Sequence, residues 1–490
     1  MKRDIMKKYI GKISFTVGVL FLSACDTVDF GETNVDPDAT SKVVSSGLLT
    51  YAQRYVGDAV TDYMGLLYTQ QISQITYTDG SRYGTLSFDS DYLYQNPLVN
   101  LMAIVDVNSD EATASLQTVY GSNANQIAVA KILMAYFYQQ ITDRWGMMPY
   151  TEALSGVENT YPVFDTQEAI YDGLFNDLDE ALALIDGGNG PTGDIIFDGD
   201  MERWKKFANT LKMIMALRLS NVYPEPNGYA ATKFIEAMPG AIASSEETIY
   251  YPFLSDDNND NPWQDRFQTR EDYAVSDVMI DRLLADNDPR ISVYAEYTRS
   301  SVSLEAPEYV GMPYGLPNSE WLAADVSFIA SDVIYNGSSP GHIFTYSQVA
   351  FSLAEAVELG WISGSASDYY EKGIEASFEL WGADNVDGYL ADNPLSLDPM
   401  TAMQQIAEEK WKALYLQGWE SWSEWRRLGY PELEPATQPL NGDAVPVRQG
   451  YDNDYPTNNT ENYNAAVSLQ GPDNLGTNLW WDVPHPITNK

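Results

Sequence analysis

Apolar residues recur at intervals of three and four over residues 126–141, where Ile127, Ala130, Met134, Phe137 and Ile141 fall on one face of an α-helix. Residues 166–185 repeat the spacing with Ile170, Leu174, Leu178 and Leu182; Asp165 or Thr166 offers an N-cap oxygen and Gly187 a stop. Residues 203–222 read as a third helix, and residues 346–359, 367–381 and 399–419 as three more. A short Gly/Ser turn joins the stretches 346–359 and 367–381. There Ala354, Ala356, Gly360, Tyr370, Ile374 and Ala376 set small residues against large ones, as in a helix hairpin of tetratricopeptide type, although the strict consensus of that repeat is not met. The predicted fold class is mainly α, with tetratricopeptide-like helix pairs in a shallow right-handed stack.

Between residues 223 and 346 the periodicity breaks up. Asn, Asp, Pro, Gly and aromatic residues crowd 221–227, 256–270 and 300–342, and the stretch from Gly429 to Lys490 is equally loop-rich. Irregular connections of this length inside a folded body usually form functional surface. No linker separates loops from helices, so a single domain over residues 45–490 is expected, its long loops forming a ligand-binding face. At the other end, Lys2, Arg3, Lys7, Lys8 and Lys12 precede an apolar run from Ile13 that closes on Leu22-Ser23-Ala24-Cys25. That is the layout of a secretory signal over residues 1–24 ending in a lipobox, and it reads equally well from Met6. Cleavage before Cys25 frees its thiol for diacylglycerol and its amine for a further acyl chain; two or more chains anchor a protein stably where one does not. A plain signal peptide that happens to end near a cysteine is the alternative. Residues 25–44, rich in Gly, Asn, Asp and Pro, show no periodicity and read as a flexible tether.

Composition then narrows the function classes. With 44% apolar and 13% aromatic residues the body can bury a large core, so disorder is excluded there. The net charge is −42, and the first 24 residues carry five basic groups against Asp4 alone, so their removal deepens it. Such acidity offers no basic patch for nucleic acid or for anionic lipid. Cys25 is the single cysteine, which rules out an intramolecular disulfide.

Catalytic patterns are sparse. The two histidines, His342 and His485, are far apart in sequence, and HExxH, GxSxG and P-loop motifs are missing. A G-x-G-x-x-G at Gly188, Gly190 and Gly193 follows a helix and contains Pro191, which makes it a loop rather than a dinucleotide turn. Asp256-Asp257-Asn258-Asn259-Asp260 starts like a calcium loop, but Asn261 and Phe267 stand where an EF-hand needs glycine and glutamate. A looser oxygen cage or a solvated polar loop remains, and the second is the expectation. No cofactor and no metal is called for.

Aromatic residues are the positive signal, with 12 tryptophans and 34 tyrosines. Flat rings suit sugars, whose axial C–H groups pack on them while polar neighbours take the hydroxyls. The candidates lie in loops: Tyr77 and Tyr83 beside Asp79 and Arg82, Trp263 beside Asn261, Asp265 and Arg266, then Tyr314 and Trp321. Packing against the scaffold is the competing role for each. Trp204, Trp361, Trp381 and Trp411 are assigned to the core. Trp419, Trp422 and Trp425, with Glu420, Glu424, Arg426 and Arg427, read as a helix end with its rings inward and its ion pairs outward.

Several stretches together resemble one family. The lipobox followed by Asn34-Val35-Asp36-Pro37-Asp38 is similar to its mature N-terminus, and Thr142-Asp143-Arg144-Trp145-Gly146-Met147-Met148-Pro149-Tyr150-Thr151-Glu152-Ala153 to its "TDxWGxxPYxEA" stretch. Trp204-Lys205-Lys206-Phe207-Ala208-Asn209, Asn287-Asp288-Pro289-Arg290, residues 420–427, Glu461-Asn462-Tyr463-Asn464 and Leu479-Trp480-Trp481-Asp482 add to the match. The chain thus resembles the SusD/RagB-type nutrient-binding outer-membrane lipoproteins over its mature length. The resemblance implies a SusD-like α-superhelix on the outer face of the outer membrane and a TonB-dependent β-barrel partner of SusC type. It further implies an oligosaccharide ligand, or in some members a peptide, and no turnover. A surface glycan hydrolase with a carboxylate pair and a purely structural lid are the competing readings. Family ligand contacts come from aromatics in variable loops, which points again to Tyr77, Tyr83, Trp263, Tyr314 and Trp321. The 142–153 stretch reads as scaffold, with Gly146 and Pro149 turning the chain and Trp145 and Tyr150 pinning the turn.

Overall fold

The computed structural model describes residues 43–317 and 321–490; Cys25, the signal segment and most of the tether lie outside them. The longer helices, in chain order, are α1 (Ser45–Val60), α2 (Val99–Ser109), α3 (Asn123–Trp145), α4 (Gln167–Leu184), α5 (Met201–Arg218) and α6 (Tyr229–Ala237). They continue as α7 (Asp277–Ala285), α8 (Tyr346–Glu358), α9 (Ala366–Trp381), α10 (Pro399–Ala413), α11 (Gly418–Leu428) and α12 (Thr460–Gln470). Consecutive helices pack as pairs: α3 on α4, α5 on α6, and α8 on α9. Residues 44–490 form one unit. The fold is mainly α, as the periodicity predicts.

Local chemistry sets the ends. The Thr166 hydroxyl accepts from the Ala169 amide to cap α4, Asp200 accepts from Glu202 and Arg203 to cap α5, and Ser365 accepts from Asp368 to cap α9. Gly382, at φ +69°, closes α9 in the left-handed conformation that glycine adopts without strain. Two boundaries differ from the sequence reading. Helix α3 runs on through residues 142–145, so the first third of the 142–153 stretch is helical, and it stops at Gly146 with φ +85°. The helix expected over 399–419 is broken into α10 and α11. Leu416 takes φ +63°, and the backbone at Gly418 lies so near Gly65 that a Cβ there would meet it at 2.3 Å. The helix gives way to that close approach.

Two small antiparallel ladders stitch the loops to the bundle. Strand β1 (Ile72–Gln74) pairs with β3 (Tyr273–Val275), and β2 (Ile249–Tyr251) with β4 (Gly341–Phe344). The main core gathers Trp204, Phe207, Tyr136 and Phe344; a second core under the loops gathers Ile72, Trp263, Val275, Met279 and Trp411.

The end of α11 reverses one expectation. Its ion pairs point inward. Glu424, Arg426 and Arg427 are buried, whereas Trp425 keeps some exposure. Arg427 donates to Glu424 at 2.6 Å, to Glu355 on α8 at 2.8 Å and to the Ser220 hydroxyl at 3.0 Å. Lys410 donates to Glu424 at 2.5 Å and Arg218 to Glu420 at 2.7 Å. Burial disfavours the Arg427 charge, but Glu355 and Glu424 outweigh that and hold its pKa above the usual value. Rings and charges share this interior: the Arg426 guanidinium lies 3.7 Å from the Trp422 centroid and 4.7 Å from that of Trp481.

The 142–153 stretch is fastened at each polar point. Asp143 accepts from the Tyr171 hydroxyl at 2.6 Å and from the Trp481 indole N–H at 3.0 Å. Trp145 donates to the Gly450 carbonyl at 3.1 Å, and Tyr150 to Asp177 at 2.5 Å. Both rings pin the turn, as the scaffold reading expects.

Candidate functional site

The β1–β3 ladder leads directly to an exposed ring. Beyond β1, the Ile75 amide donates to the Asp272 carbonyl at 2.8 Å and the Thr76 hydroxyl to the Asp272 carboxylate at 2.8 Å. Tyr77 follows at φ +54°, a conformation that costs a non-glycine residue about 1–3 kcal/mol unless its surroundings fix it. Its side chain is 66% exposed, and the Arg270 guanidinium sits 4.9 Å from the ring centroid while pairing with Asp272 at 2.9 Å. One face of the ring is held by a cation, and the side chain as a whole stands in water.

Next along the chain, Glu271 lines a groove of about 620 Å³ with Glu296, Tyr297, Arg299, Phe328 and Tyr335. The volume lies inside the range of about 300–1,000 Å³ usual for small-molecule sites. Tyr297 and Tyr335 are 45% and 54% exposed. Tyr297 stacks on Tyr309 with centroids 4.3 Å apart and planes 28° apart, so its orientation is fixed. Arg299 grips Glu271 through two N–H donors, one of them at 3.0 Å, and lies 4.8 Å over the Phe328 ring. The hydrogen bonds to Glu271 raise the Arg299 pKa, and burial raises that of Tyr309. Glu296 accepts from the Ser331 amide at 2.8 Å. Oriented rings beside charged hydrogen-bonding groups are what a sugar ring requires.

The sequence candidates divide here. Tyr77 and Trp321 reach the surface, Trp321 at 39% exposure. Trp321 precedes a turn whose Asp325 accepts from the Ser300 hydroxyl at 2.5 Å, next to Arg299. Tyr83, Trp263 and Tyr314 are interior. The Tyr83 hydroxyl accepts from the Ala436 amide at 2.9 Å, and the Tyr314 hydroxyl donates to the Leu67 carbonyl at 2.5 Å; both rings belong to a cluster with Tyr68, Trp419 and Trp422. Trp263 is turned inward by the short helix Pro262–Phe267, which Asn261 caps, and packs against Arg266 and Tyr273. Buried in this way, none of the three offers a ring face to solvent. Tyr297, Tyr335 and Arg299 do line the groove and were not among the candidates. Tyr335 stands directly before the turn-forming Asn336-Gly337, a signal that could have found it. Tyr297 carries no comparable mark.

Burial lowers the pKa of both His342 and His485 to about 4, which keeps them neutral at physiological pH. Among the described residues, no group of three or more His, Cys, Asp or Glu side chains is placed to hold a metal ion, and no helix is long and apolar enough to cross a membrane.

Residues 37–452 match the profile of the SusD-like family described as starch-binding and associating with the outer membrane. Among solved structures, a chitin-binding protein shares 28% identity at a TM-score of 0.77, covering 90% of this chain and all of its own (100%). A SusD homolog from Bacteroides fragilis (22% identity, TM-score 0.78, 90% and 100% covered) and a chitin-binding SusD homolog from Flavobacterium johnsoniae (24%, 0.73, 90% and 98%) share the fold. No curated protein matches the chain in sequence.

Proposed function

We propose, from the premise that this chain belongs to the SusD-like family associated with starch binding at the outer membrane, that it captures an oligosaccharide on its loop face and passes it to a TonB-dependent transporter of SusC type. In this reading Cys25 carries the acyl chains, residues 25–44 tether the body to the outer leaflet, and the loop face looks outward from the cell. The observation that carries it is Tyr77, an exposed ring in a left-handed conformation whose preceding residues bond Asp272 and whose face meets Arg270, the two residues flanking Glu271 of the aromatic groove. Strained and fixed residues of this kind cluster at ligand sites. Tyr297 and Tyr335 line the groove, and Trp321 is a further exposed ring that this reading recruits.

Binding without turnover fits the state of the carboxylates. Glu271 is held by Arg299 and Glu296 by a backbone amide, which suits them to accept from sugar hydroxyls rather than to deliver a proton as a general acid. Likeness to a chitin-binding protein makes N-acetylglucosamine oligomers a first ligand to try, beside starch fragments. Isothermal titration of Tyr77→Ala and Trp321→Ala should show losses of about 1–3 kcal/mol each against whichever neutral glycan binds. Unchanged affinity in both variants removes this face from the reading, and reducing ends released from the glycan replace it with hydrolysis.

A further inference from the structure

A second groove, of about 610 Å³, shares no lining residue with the one beside Tyr77. Three stretches wall it: residues 91–99 leading into α2, residues 149–162 after α3, and residues 454–459. Each is bonded to the others. The Tyr94 hydroxyl donates to the Pro149 carbonyl at 2.7 Å, the Asn459 side chain to the Pro162 carbonyl at 2.7 Å, and the Tyr455 hydroxyl to Asp91 at 2.5 Å. Within the second wall, Asp165 accepts from the Tyr150 and Thr151 amides, and Glu152 from the Asn159 side chain and the Val163 amide. Leu154 completes that wall at φ +62°, a backbone conformation that leucine rarely takes. A groove cross-linked in this way is preformed, so little conformational freedom is lost when a guest arrives.

Its lining differs from that of the glycan groove. Val99, Pro149, Ala153, Leu154 and Pro162 supply an aliphatic floor, and no lysine, arginine or histidine stands among the lining residues. Aliphatic branches suit the side chains of a protein segment, whereas a sugar requires a flat ring. Apolar surface continues past the rim. Val157, Tyr161 and Val163, which alternate in the chain with lining residues, are 95%, 63% and 38% exposed, and Val99 itself 43%. Clustered exposed apolar side chains mark a protein contact, and a free peptide lying in the groove would leave this fringe uncovered. One end carries charge of a single sign. Asp91 and Asp454 line it, and burial together with the like charges of Asp89, Asp452 and Asp454 holds Asp91 above the ordinary carboxylate range against the Tyr455 hydrogen bond. Guanidinium groups on adjoining segments are engaged elsewhere: Arg448 is buried on Asp473 at 3.2 Å, and Arg144 donates to Gln449 at 2.7 Å and to the Tyr92 hydroxyl at 3.3 Å. The complement of such a groove is apolar with a positive flank.

We infer that this groove docks an extended segment of a protein partner in which an aliphatic side chain stands beside lysine or arginine. The inference is independent of the glycan reading. Titration of the purified protein with end-capped peptides, which mimic an internal segment, tests it: one repeating lysine-leucine-serine, one repeating lysine-serine-serine and one repeating glutamate-leucine-serine. The first should bind about tenfold more tightly than either of the others. Asp454→Asn and Val99→Ser, both at exposed positions where folding is not at stake, should each weaken it by about threefold to tenfold. Failure of the lysine-leucine-serine peptide to bind, or affinity unchanged in both variants, overturns the inference. So does equal binding of the lysine-serine-serine peptide, which the net charge of −42 would produce unaided. Binding seen only with uncapped ends overturns it too, and makes the groove a site for free peptides instead.

Discussion

The interior at the end of α11 and the groove beside Tyr77 are made from the same materials. Each sets guanidinium–carboxylate pairs among aromatic rings. At α11, Arg427 is closed off by Glu355, Glu424 and Ser220, and the Arg426 guanidinium is sandwiched by Trp422 and Trp481. The guanidinium N–H groups of Arg426 and Arg427 are answered within the chain, and the rings of Trp422 and Trp481 are fully buried. In the groove, Arg299 answers Glu271, but Tyr297 and Tyr335 keep surface in water, and Tyr77 is held from one side only. What separates a structural cluster from a receptive one is therefore the unfilled remainder, and composition alone does not disclose it.

The contrast is sharpest where a charge is removed. Arg427→Met leaves Glu355 and Glu424 buried without their partner and should destabilise the fold by about 3–5 kcal/mol in urea unfolding. A loss below about 1 kcal/mol would mean that the interior network is no more demanding than a surface pair. Asp482 probes the same interior through pH. Burial pushes its pKa up from 3.8 to about 7, with Arg426 opposing. A raised acid contributes stability below its unfolded pKa and loses it as pH climbs through the folded one, so the handicap grows between about pH 4 and pH 7. Asp482→Asn should accordingly stabilise the protein more at pH 8 than at pH 4, by up to about 4 kcal/mol. Equal gains at both pH values would refute the assignment. The smallest effect is expected in the groove, where Arg299→Met should change stability by less than about 1 kcal/mol because that pair is half in solvent. A larger loss would make the groove as structural as α11.

Short-range features were legible in the sequence. The Thr166 cap, the apolar stripes of α3 and α4 and the turn between α8 and α9 all follow from residues within a few positions of one another. Helix α1 was legible too, since Leu49, Ala52, Gln53 and Val56 repeat at the same spacing and are buried, although it was not among the stretches singled out. Pairings across the chain were not. Nothing near Arg427 announces Glu355, which lies 72 positions away, so the local pattern placed these charges outside. Loop aromatics suffered the same ambiguity. Trp263 and Tyr77 have similar polar neighbours, yet a capped helical turn rotates one inward while the other stands exposed against Arg270; a left-handed backbone does not decide it, since Tyr83 shares that conformation and is buried.

The indole of Trp481 fills a place on Asp143 that lies 338 positions earlier in the chain. Gln139 and Tyr171 answer the same carboxylate from 4 and 28 positions away, so the Trp481 N–H is the last donor to reach Asp143 as the chain is made, and shortening the chain ahead of it removes that last fastening alone.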